Sequence, residues 1–419
     1  MKKLYPLFMV LLFHGIAYSQ ENQEEKKEPL IKFSGHIRFE SYFDSYESTS
    51  TRNGDVYIFP NRQKLDVNGN DINEHGQFTM ISSESKFRAR LSGPDAFGAK
   101  VSGLAEVDFL GKAFTTKSGD VVDFTQTPVL RHMFMNLDWG KTQLLMGQYW
   151  HPVFLPECYP EVLSFGSALP FNPLNRSAQI KASYKITDAV EIAVAALSHY
   201  DFVSKGSIDA QKNAVMPDLH GSLKYKTDLF TAGIVAGYKL LKPRLTTVDK
   251  IITNETIGSF DVVGFGKIKM DNLTLKLYGM YGQNLTSYVM LGGYGASQDS
   301  ALVDDFSYSN INTLAIWGEG IYKLDALTFG LFGGYTSNLG ASTNEYYDYG
   351  YTLGGNIESM YRISPRVSYT SGKIELGLEY MLTSAVYMDL NTTDHKYEAL
   401  TTDDAVSNHR LQFSARYTF

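Results

Sequence analysis

Apolar and polar residues alternate with a period of two along most of the chain. In the segment IKFSGHIRFESYFD, residues 31–44, the apolar side chains of Phe33 and Phe39 share one parity. Lys32 and Arg38 have the other parity. Successive side chains of a β-strand point to opposite faces, so this segment is predicted to be a strand with an apolar solvent on one side and water on the other.

Fifteen further segments show the same pattern. They lie near residues 80–92, 100–110, 129–139, 142–150, 176–186, 190–199, 218–226, 229–240, 257–270, 273–284, 312–323, 327–336, 356–369, 373–383 and 406–419. The chain is therefore predicted to be all-β, with about sixteen strands.

The connections between these segments alternate in length. Short turns lie at residues 93–99, 140–141, 187–189, 227–228, 271–272, 324–326 and 370–372. Long polar loops lie between them, among others at residues 45–79, 111–128, 200–217, 285–311, 337–355 and 384–405. An even number of antiparallel strands, with short turns at one rim and long loops at the other, is typical of a transmembrane β-barrel of the bacterial outer membrane. A soluble β-sandwich does not require short turns at one end of the sheet and long loops at the other.

The third long connection, at about residues 151–176, has an unusual composition. It holds five of the thirteen prolines, so neither a helix nor a central strand can run through it. It is also rich in apolar and aromatic residues, which need a surface to pack against. A long loop of this kind is usually ordered and functional. We expect this third extracellular loop to fold into the lumen and to set the width of the pore.

Composition and the N-terminus complete the domain organisation. Residues 1–19 have two lysines, a short apolar core and small residues, and are predicted to be a cleaved signal peptide. The alternative, an uncleaved anchor, is disfavoured because a spanning helix needs about 20 apolar residues. Residues 20–29 form a short periplasmic lead, and residues 30–419 form the barrel. The net charge of −7 argues against a nucleic-acid partner, and the single cysteine, Cys158, cannot form an internal disulfide.

Strand parity predicts which charged residues face the lumen. Arginines of the first two and last few strands are neighbours once the barrel closes, and they form a basic stripe on one wall. The predicted pore-lining and constriction residues are Arg38, Glu40, Lys86, Arg88, Arg90, Glu106, Asp108, Glu157, Glu161, Arg362, Arg366 and Arg410. Guanidinium groups pair well with carboxylates and phosphates, so the stripe favours small anions. In the alternative interpretation, the charges neutralise one another and only hydrate the wall.

Motifs for other chemistry are weak. The nine histidines are scattered, and each is expected to act singly as a polar residue rather than in a catalytic arrangement. The loop from Asp66 to Gln77 resembles an EF-hand, but it has Asp71 and Gln77 where glycine and glutamate are required. Calcium binding of another type stays open for this loop. No cofactor and no metal are expected.

Three motifs resemble the DcaP-like outer-membrane porins of Gram-negative bacteria. They run from Leu130 to Trp150, from Pro160 to Ser167 and from Arg362 to Tyr380. The resemblance implies a sixteen-stranded trimeric porin for small, often dicarboxylic, anions, with loop three folded into each pore. Ser164 stands where an acidic residue is expected, so the charge layout of the family at the constriction is not carried over to this chain. The ten residues before Leu30 cannot supply the N-terminal extension that many family members carry.

These observations lead to three hypotheses of function. The first is an outer-membrane porin for passive diffusion of small hydrophilic solutes, with a preference for anions. The second is a barrel enzyme, and the third is an adhesin that acts through tyrosine-rich loops such as residues 344–352. The expected surroundings are outer-membrane lipid and lipopolysaccharide, and a homotrimer is implied by the family alone. The alternating C-terminal segment, which ends at Phe419, resembles the signal that the outer-membrane assembly machinery recognises.

Overall fold

The computed structural model describes most of the chain beyond its N-terminus. The described residues are 30–51, 54–82, 84–109, 114–115, 121–122, 127–199, 202–247, 249–298, 306–341, 348–390 and 399–419. The predicted signal peptide and periplasmic lead, residues 1–29, lie outside these ranges.

The main sheet consists of twenty antiparallel segments. Two of them are halves of one interrupted strand and three belong to loops, which leaves sixteen wall strands, as the alternation predicts. In chain order the strands are β1 (Leu30–Asp44), β2 (Gln77–Ile81 and Lys86–Ser92), β3 (Lys100–Asp108), β4 (Val129–Asp138), β5 (Thr142–Trp150), β6 (Arg176–Lys185), β7 (Val190–His199), β8 (Asp218–Lys226), β9 (Phe230–Leu241), β10 (Ile257–Lys269), β11 (Leu273–Gln283), β12 (Phe306–Leu324), β13 (Leu327–Ala341), β14 (Ile357–Ser371), β15 (Ile374–Leu390) and β16 (Val406–Thr418).

The sheet closes on itself through its first and last strands. β16 pairs with β1 from His36 opposite Thr418 to Asp44 opposite Arg410. The amide of Phe419 also donates to the carbonyl oxygen of Gly35, at 3.1 Å. Because closure leaves no unpaired strand edge in the wall, the backbone polar groups are satisfied without water.

The two faces of the wall differ as the alternation predicts. On β11, Leu275 and Leu277 are 42% and 62% exposed on the outside, while Lys276 between them is 6% exposed. The apolar row faces outwards and the charged row faces the lumen. This arrangement separates an apolar exterior from a polar interior and confirms the predicted transmembrane barrel.

Three strands extend further than predicted. β12 begins at Phe306 rather than near residue 312, β13 continues to Ala341, and β15 continues to Leu390. The added part of β12 is polar on both parities, with Ser309 and Asn310 as neighbours. Such a segment lacks the alternation of a lipid-facing strand, so the sequence pattern does not reveal it.

Two irregularities interrupt the ladder next to β1 and β3. Glu40 pairs with Ile81 and His36 pairs with Lys86, so the gap between the two halves of β2 is one residue longer than the stretch of β1 opposite it. On β4, His132 pairs with Glu106 while the next pair skips Arg131. Each irregularity is a β-bulge, in which one strand has an extra residue. A side chain at the bulge can therefore point to the opposite face from the one that strict alternation predicts.

Shorter elements decorate the loops. A hairpin of Ser48–Thr51 and Val56–Pro60 belongs to loop 1, and the strand Val56–Pro60 is completely buried. The remaining short pieces are Phe114–Thr115, Val121–Val122, the helix Ala210–Ala214, the 3₁₀ helix Leu285–Tyr288, Gly292–Gln298, Asp348–Leu353 and Ala399–Thr402. Within the described ranges, no helix has the length and apolar character needed to cross a bilayer.

The apolar exterior yields a first prediction. Replacing Leu277 with arginine places a charge near the middle of a lipid-facing strand, which costs about 2–4 kcal/mol of folding free energy. The same change at Leu324, which is 46% exposed at the end of β12, costs about 0–1 kcal/mol because the charge reaches interfacial water. Urea titration of both variants in lipid vesicles measures the difference. Equal losses would contradict a position of Leu277 at the bilayer centre and of Leu324 at its surface.

Candidate functional site

Loop 3, which we define as residues 151–175, lies inside the barrel. Its side chains form a hydrophobic cluster with the inner faces of β9 to β15, and Phe165, Leu169 and Phe171 are buried in it. On the wall, Trp317 and Phe332 belong to the same cluster. The loop therefore fills one half of the lumen, as the prediction of an inward-folded third loop requires.

Two carboxylates of the wall hold the backbone amides of loop 3. Both oxygens of Glu319 accept from the amide of Glu161, each at 3.0 Å, and Oε2 of Glu379 accepts from the amide of Leu163 at 2.6 Å. A loop without a sheet partner leaves its polar backbone groups unpaired, and burial of unpaired groups is unfavourable. These carboxylates supply the missing acceptors.

Cationic side chains of the wall hold the carbonyl groups of the same loop. Lys267 donates to the carbonyl oxygen of Glu157 at 2.6 Å, and Lys276 donates to that of Tyr159 at 2.8 Å. Arg362 donates to the carbonyl oxygen of Leu169 at 2.7 Å. Loop 3 is thus fixed to the wall by charged groups on several strands.

Arg362 and Arg410, both expected at the constriction, lie beneath loop 1. The guanidinium groups of Arg362 and Arg410 lie over the ring of Tyr57, at 5.0 and 4.8 Å from its centroid. Arg410 also pairs with both carboxylate oxygens of Asp44, at 2.8 Å each. These arginines bind the loop 1 hairpin to the wall.

The other half of the lumen contains a cavity of about 620 Å³. Its walls come from loop 3 and from strands at both ends of the chain, which closure brings together. Seven lysine and arginine side chains and four carboxylates line it, beside two histidines: Arg38, Lys86, Arg88, Arg131, Lys323, Arg366, Arg416, Glu84, Glu106, Glu161, Glu375, His36 and His132. We call this space the charged cavity.

On one side of the charged cavity, arginines pair with recessed carboxylates. Arg38 pairs with Glu40 at 2.7 Å and also contacts Glu84, while Arg131 pairs with Glu106 at 2.9 Å. Glu40 is 1% exposed. The side chain of Arg88, which pairs with Glu106, remains 36% exposed. Positive charge therefore lies nearer the open space than much of the negative charge on this side.

The side formed by loop 3 contributes a carboxylate at the cavity surface. The side chain of Glu161 is 47% exposed, and Lys276 pairs with it at 2.8 Å. Burial alone raises the pKa of Glu161, but the Lys276 ammonium, with Arg366 and Lys323 nearby, lowers that pKa below its usual value. Glu161 therefore carries a negative charge that faces the basic wall.

Eleven of the twelve predicted pore-lining residues fall into three groups. Six of them line the charged cavity: Arg38, Lys86, Arg88, Glu106, Glu161 and Arg366. Glu40 and Asp108 are buried behind it as partners of Arg38 and Arg131. Arg90 lies on β2, two residues after Arg88, and does not line the cavity. Arg362 and Arg410 do not line it either.

Glu157 lies at a second cavity of about 400 Å³, which shares Trp150, Phe154 and Pro156 with the first. Its carboxylate pairs with Lys224 at 3.0 Å, and Lys224 also pairs with Glu191 at 3.1 Å. Loop 3 therefore lies between two polar spaces.

The main residue that the sequence analysis missed is Arg131. Alternation places it on the same parity as Met133 and Met135, which are 53% and 49% exposed on the outside. The bulge on β4 turns Arg131 inwards, where it is 3% exposed. A charged residue on an otherwise apolar parity is the one sequence signal that could have revealed it.

The expectation that each histidine acts singly is wrong for three of them. His151, at the start of loop 3, lies with its ring centroid 4.5 Å from that of His220 and 6.5 Å from that of His199. Strand alternation cannot show this grouping, because it depends on where the loop enters the lumen.

The fold is a closed sixteen-stranded antiparallel β-barrel of the outer-membrane type. No protein-family model matches the chain, and no curated protein matches its sequence. Solved structures resemble it in fold. The outer membrane channel DcaP of Acinetobacter baumannii superposes with a TM-score of 0.68 at 17% identity, covering 94% of this chain and 98% of that one.

Two further structures show the same architecture. OmpT, an outer membrane protein of Vibrio cholerae, in its trimer form, gives a TM-score of 0.55 at 12% identity, covering 94% of this chain and all (100%) of that one. An anion-selective porin from Comamonas acidovorans gives 0.55 at 9% identity, with the same coverage of 94% and 100%. The likeness to DcaP and the location in the outer membrane of a Gram-negative bacterium are confirmed at the level of the fold.

The packing of loop 3 leads to a prediction about Cys158. Its side chain is buried, and burial raises the pKa of the thiol to about 11, so the reactive thiolate is scarce at neutral pH. A thiol-specific maleimide should therefore leave the folded protein unlabelled and label it after unfolding in urea. Val67, fully exposed in loop 1, supplies the control as Val67→Cys in a Cys158→Ser background, which should label readily when folded. Fast labelling of folded wild-type protein would mean that loop 3 leaves the lumen.

Proposed function

We propose that this chain is an outer-membrane porin for passive diffusion of small hydrophilic solutes, with a preference for anions. The observation that carries the proposal is the charged cavity, in which seven cationic side chains and four carboxylates face a space of about 620 Å³. A lumen lined by so many charged groups hydrates small solutes on their way through. The proposal assigns the chain no catalytic step.

The preference for anions rests on where the charges lie. Among residues that line the charged cavity, positive charges outnumber negative ones, and the side chains of Arg88 and Arg416 are 36% and 37% exposed. The carboxylates of Glu40 and Asp108, which offset this excess, are each 1% exposed. On the wall opposite loop 3, a permeating ion therefore meets guanidinium groups before carboxylates. The anion-selective porin with the same fold supports this proposal.

The site proposed for selectivity comprises the residues of the charged cavity, with Arg38, Lys86, Arg88, Glu106, Glu161 and Arg366 from the sequence prediction. Glu161 on loop 3 lies opposite the basic wall, so the two sides set up a transverse field that orients dipolar solutes. Glu157 contributes to the second cavity, beyond loop 3. The buried carboxylates of Glu40 and Asp108 partly neutralise the charge of their partners Arg38 and Arg131.

We also propose that the chain acts as a homotrimer in a membrane of lipid and lipopolysaccharide, after export by its N-terminal signal. The trimer form of a protein with the same architecture supports the assembly state. The C-terminal strand, which closes the barrel, is the proposed signal for the outer-membrane assembly machinery.

Planar-bilayer recording tests the function directly. Insertion of purified protein should give discrete steps of conductance, and a salt gradient should give a reversal potential on the anion side. A barrel that inserts without conducting, or one that favours cations, would contradict the proposal. A preference for cations would contradict only the proposed selectivity, because the protein would still conduct as a porin.

A pair of variants tests the role of the charged cavity. Removing one charge about 8 Å from the ion path in water changes the energy of an ion by about 0.5 kcal/mol, roughly twofold in relative permeability. Arg88→Ala should therefore move the reversal potential towards cations by about that factor. Arg90→Ala is the matched control, because it removes the same charge from the same strand outside the cavity. The measurement uses low salt, since screening shortens the reach of the charge. Equal shifts for both variants would show that Arg88 is not near the ion path.

A further inference from the structure

Three histidines and two aspartates converge where loop 3 leaves the wall. His151 begins the loop, His199 ends β7, Asp218 and His220 belong to the start of β8, and Asp261 belongs to β10. The set has no part in the charged cavity. It instead borders the second cavity, because His151 lines that space of about 400 Å³.

Three of these side chains present ligand atoms to one another. One ligand atom from each of His151, His199 and Asp218 lies within 4.8 Å of the other two. All three side chains are buried: His151 and Asp218 are 0% exposed, and the side chain of His199 is 2% exposed. Bonds of about 2.0–2.2 Å from zinc to imidazole nitrogen and carboxylate oxygen place two ligands of one ion roughly 3.3 Å apart. Small side-chain rotations close the remaining gap.

The polar atoms of this group lack ordinary partners. Nε2 of His151, Nε2 of His199 and Oδ2 of Asp218 are all buried without a hydrogen bond. Nε2 of His199 and Oδ2 of Asp218 are in close contact, but not in hydrogen-bond geometry. Buried polar atoms are rarely left unpaired, because they lose their hydrogen bonds to water and gain none in return. The arrangement therefore points to a ligand that all three atoms share.

The charge of the surroundings favours a cation. Asp218 and Asp261 are 0% and 3% exposed, and one ammonium group, that of Lys239, lies nearby and is 2% exposed. Lys239 donates to the carbonyl oxygen of Asn284 and to the hydroxyl of Ser287. Two carboxylates and one ammonium lie together in a dry site, where a carboxylate without a cationic partner is unfavourable.

Neighbouring groups already orient the ligand atoms. Gln211, in the short helix of the following loop, donates to Oδ1 of Asp218 at 2.6 Å and leaves Oδ2 available. One contact opposes the arrangement: the amide of Val153 donates to Nδ1 of His151 at 3.4 Å. Coordination through Nε2 puts the ring proton on Nδ1, so this long hydrogen bond is given up.

We propose that His151, His199 and Asp218 form a binding site for a divalent transition-metal ion, for which Zn²⁺ is the probe. Two imidazoles and one carboxylate are a donor set that zinc accepts, with a fourth position left for water. The second cavity gives the ion a route to the site. A bound ion would join the start of loop 3 to β7 and β8, and so brace the loop that divides the lumen.

The alternative is an ion pair between a protonated His199 and Asp218, with no metal. It predicts no stoichiometric binding of zinc, so the two interpretations differ in a direct measurement. Tag-free full-length protein in detergent, treated with a chelator and dialysed against Zn²⁺, should retain one zinc per chain by elemental analysis. Retention of none would overturn the proposal, whatever the behaviour of the variants.

The variants locate the ion. His199→Gln and Asp218→Asn should each abolish stoichiometric zinc binding, and Gln211→Ala should weaken it about 10- to 100-fold by loss of an orienting hydrogen bond. His75→Gln is the matched control, because His75 also faces a carboxylate, that of Glu47 at 3.3 Å, but on the surface. The gel mobility of the folded barrel verifies that each variant is native. If the ligand variants do not fold, two other measurements test the site. They are the zinc affinity of Gln211→Ala and the absorption spectrum of Co²⁺ bound to wild-type protein, which reports the type of ligands around the ion. Equal zinc binding by wild type and all variants would place the ion elsewhere and overturn the proposal.

Discussion

The lumen of this barrel is organised by the pairing of loop 3 with charged side chains of the wall. The loop has no strand partner, so its amides and carbonyls need acceptors and donors from elsewhere. Glu319 and Glu379 accept from its amides, and Lys276 donates to a carbonyl. Without these groups, the apolar side chains of the loop would still favour burial, but its backbone would oppose it.

Loop 3 makes the lumen asymmetric. Its hydrophobic cluster covers the inner faces of β9 to β15, and this half of the barrel is packed like the interior of a soluble protein. The charged cavity lies in the other half, near the seam between the first and last strands, and the second cavity lies across loop 3 from it. The side of the lumen where arginines are most frequent therefore stays open, and the position of one loop decides which wall is left uncovered.

Strand count, loop alternation and the inward loop follow from the sequence, because a barrel in lipid forces a strict period of two. The detail of the site does not follow. Arg131 enters the cavity through a bulge, and Arg362 is covered by a loop 1 hairpin whose contacting residue, Ile58, lies 304 residues earlier in the chain. The cluster of His151 with His199 depends on the path of a loop, for which no period exists. Local periodicity predicts the wall well and the contents of the lumen poorly.

The bulges beside β1 and β3 have a consequence for how such channels diversify. An additional residue reverses the facing of a strand from that point onwards, while the hairpins at both ends stay in place. Without the bulge on β4, Arg131 would share the outward face of Met133, so the gain or loss of one residue there decides whether a guanidinium group faces the cavity. The insertion or deletion of one residue within a strand can thus change which charged side chains face the lumen, although no residue type is substituted.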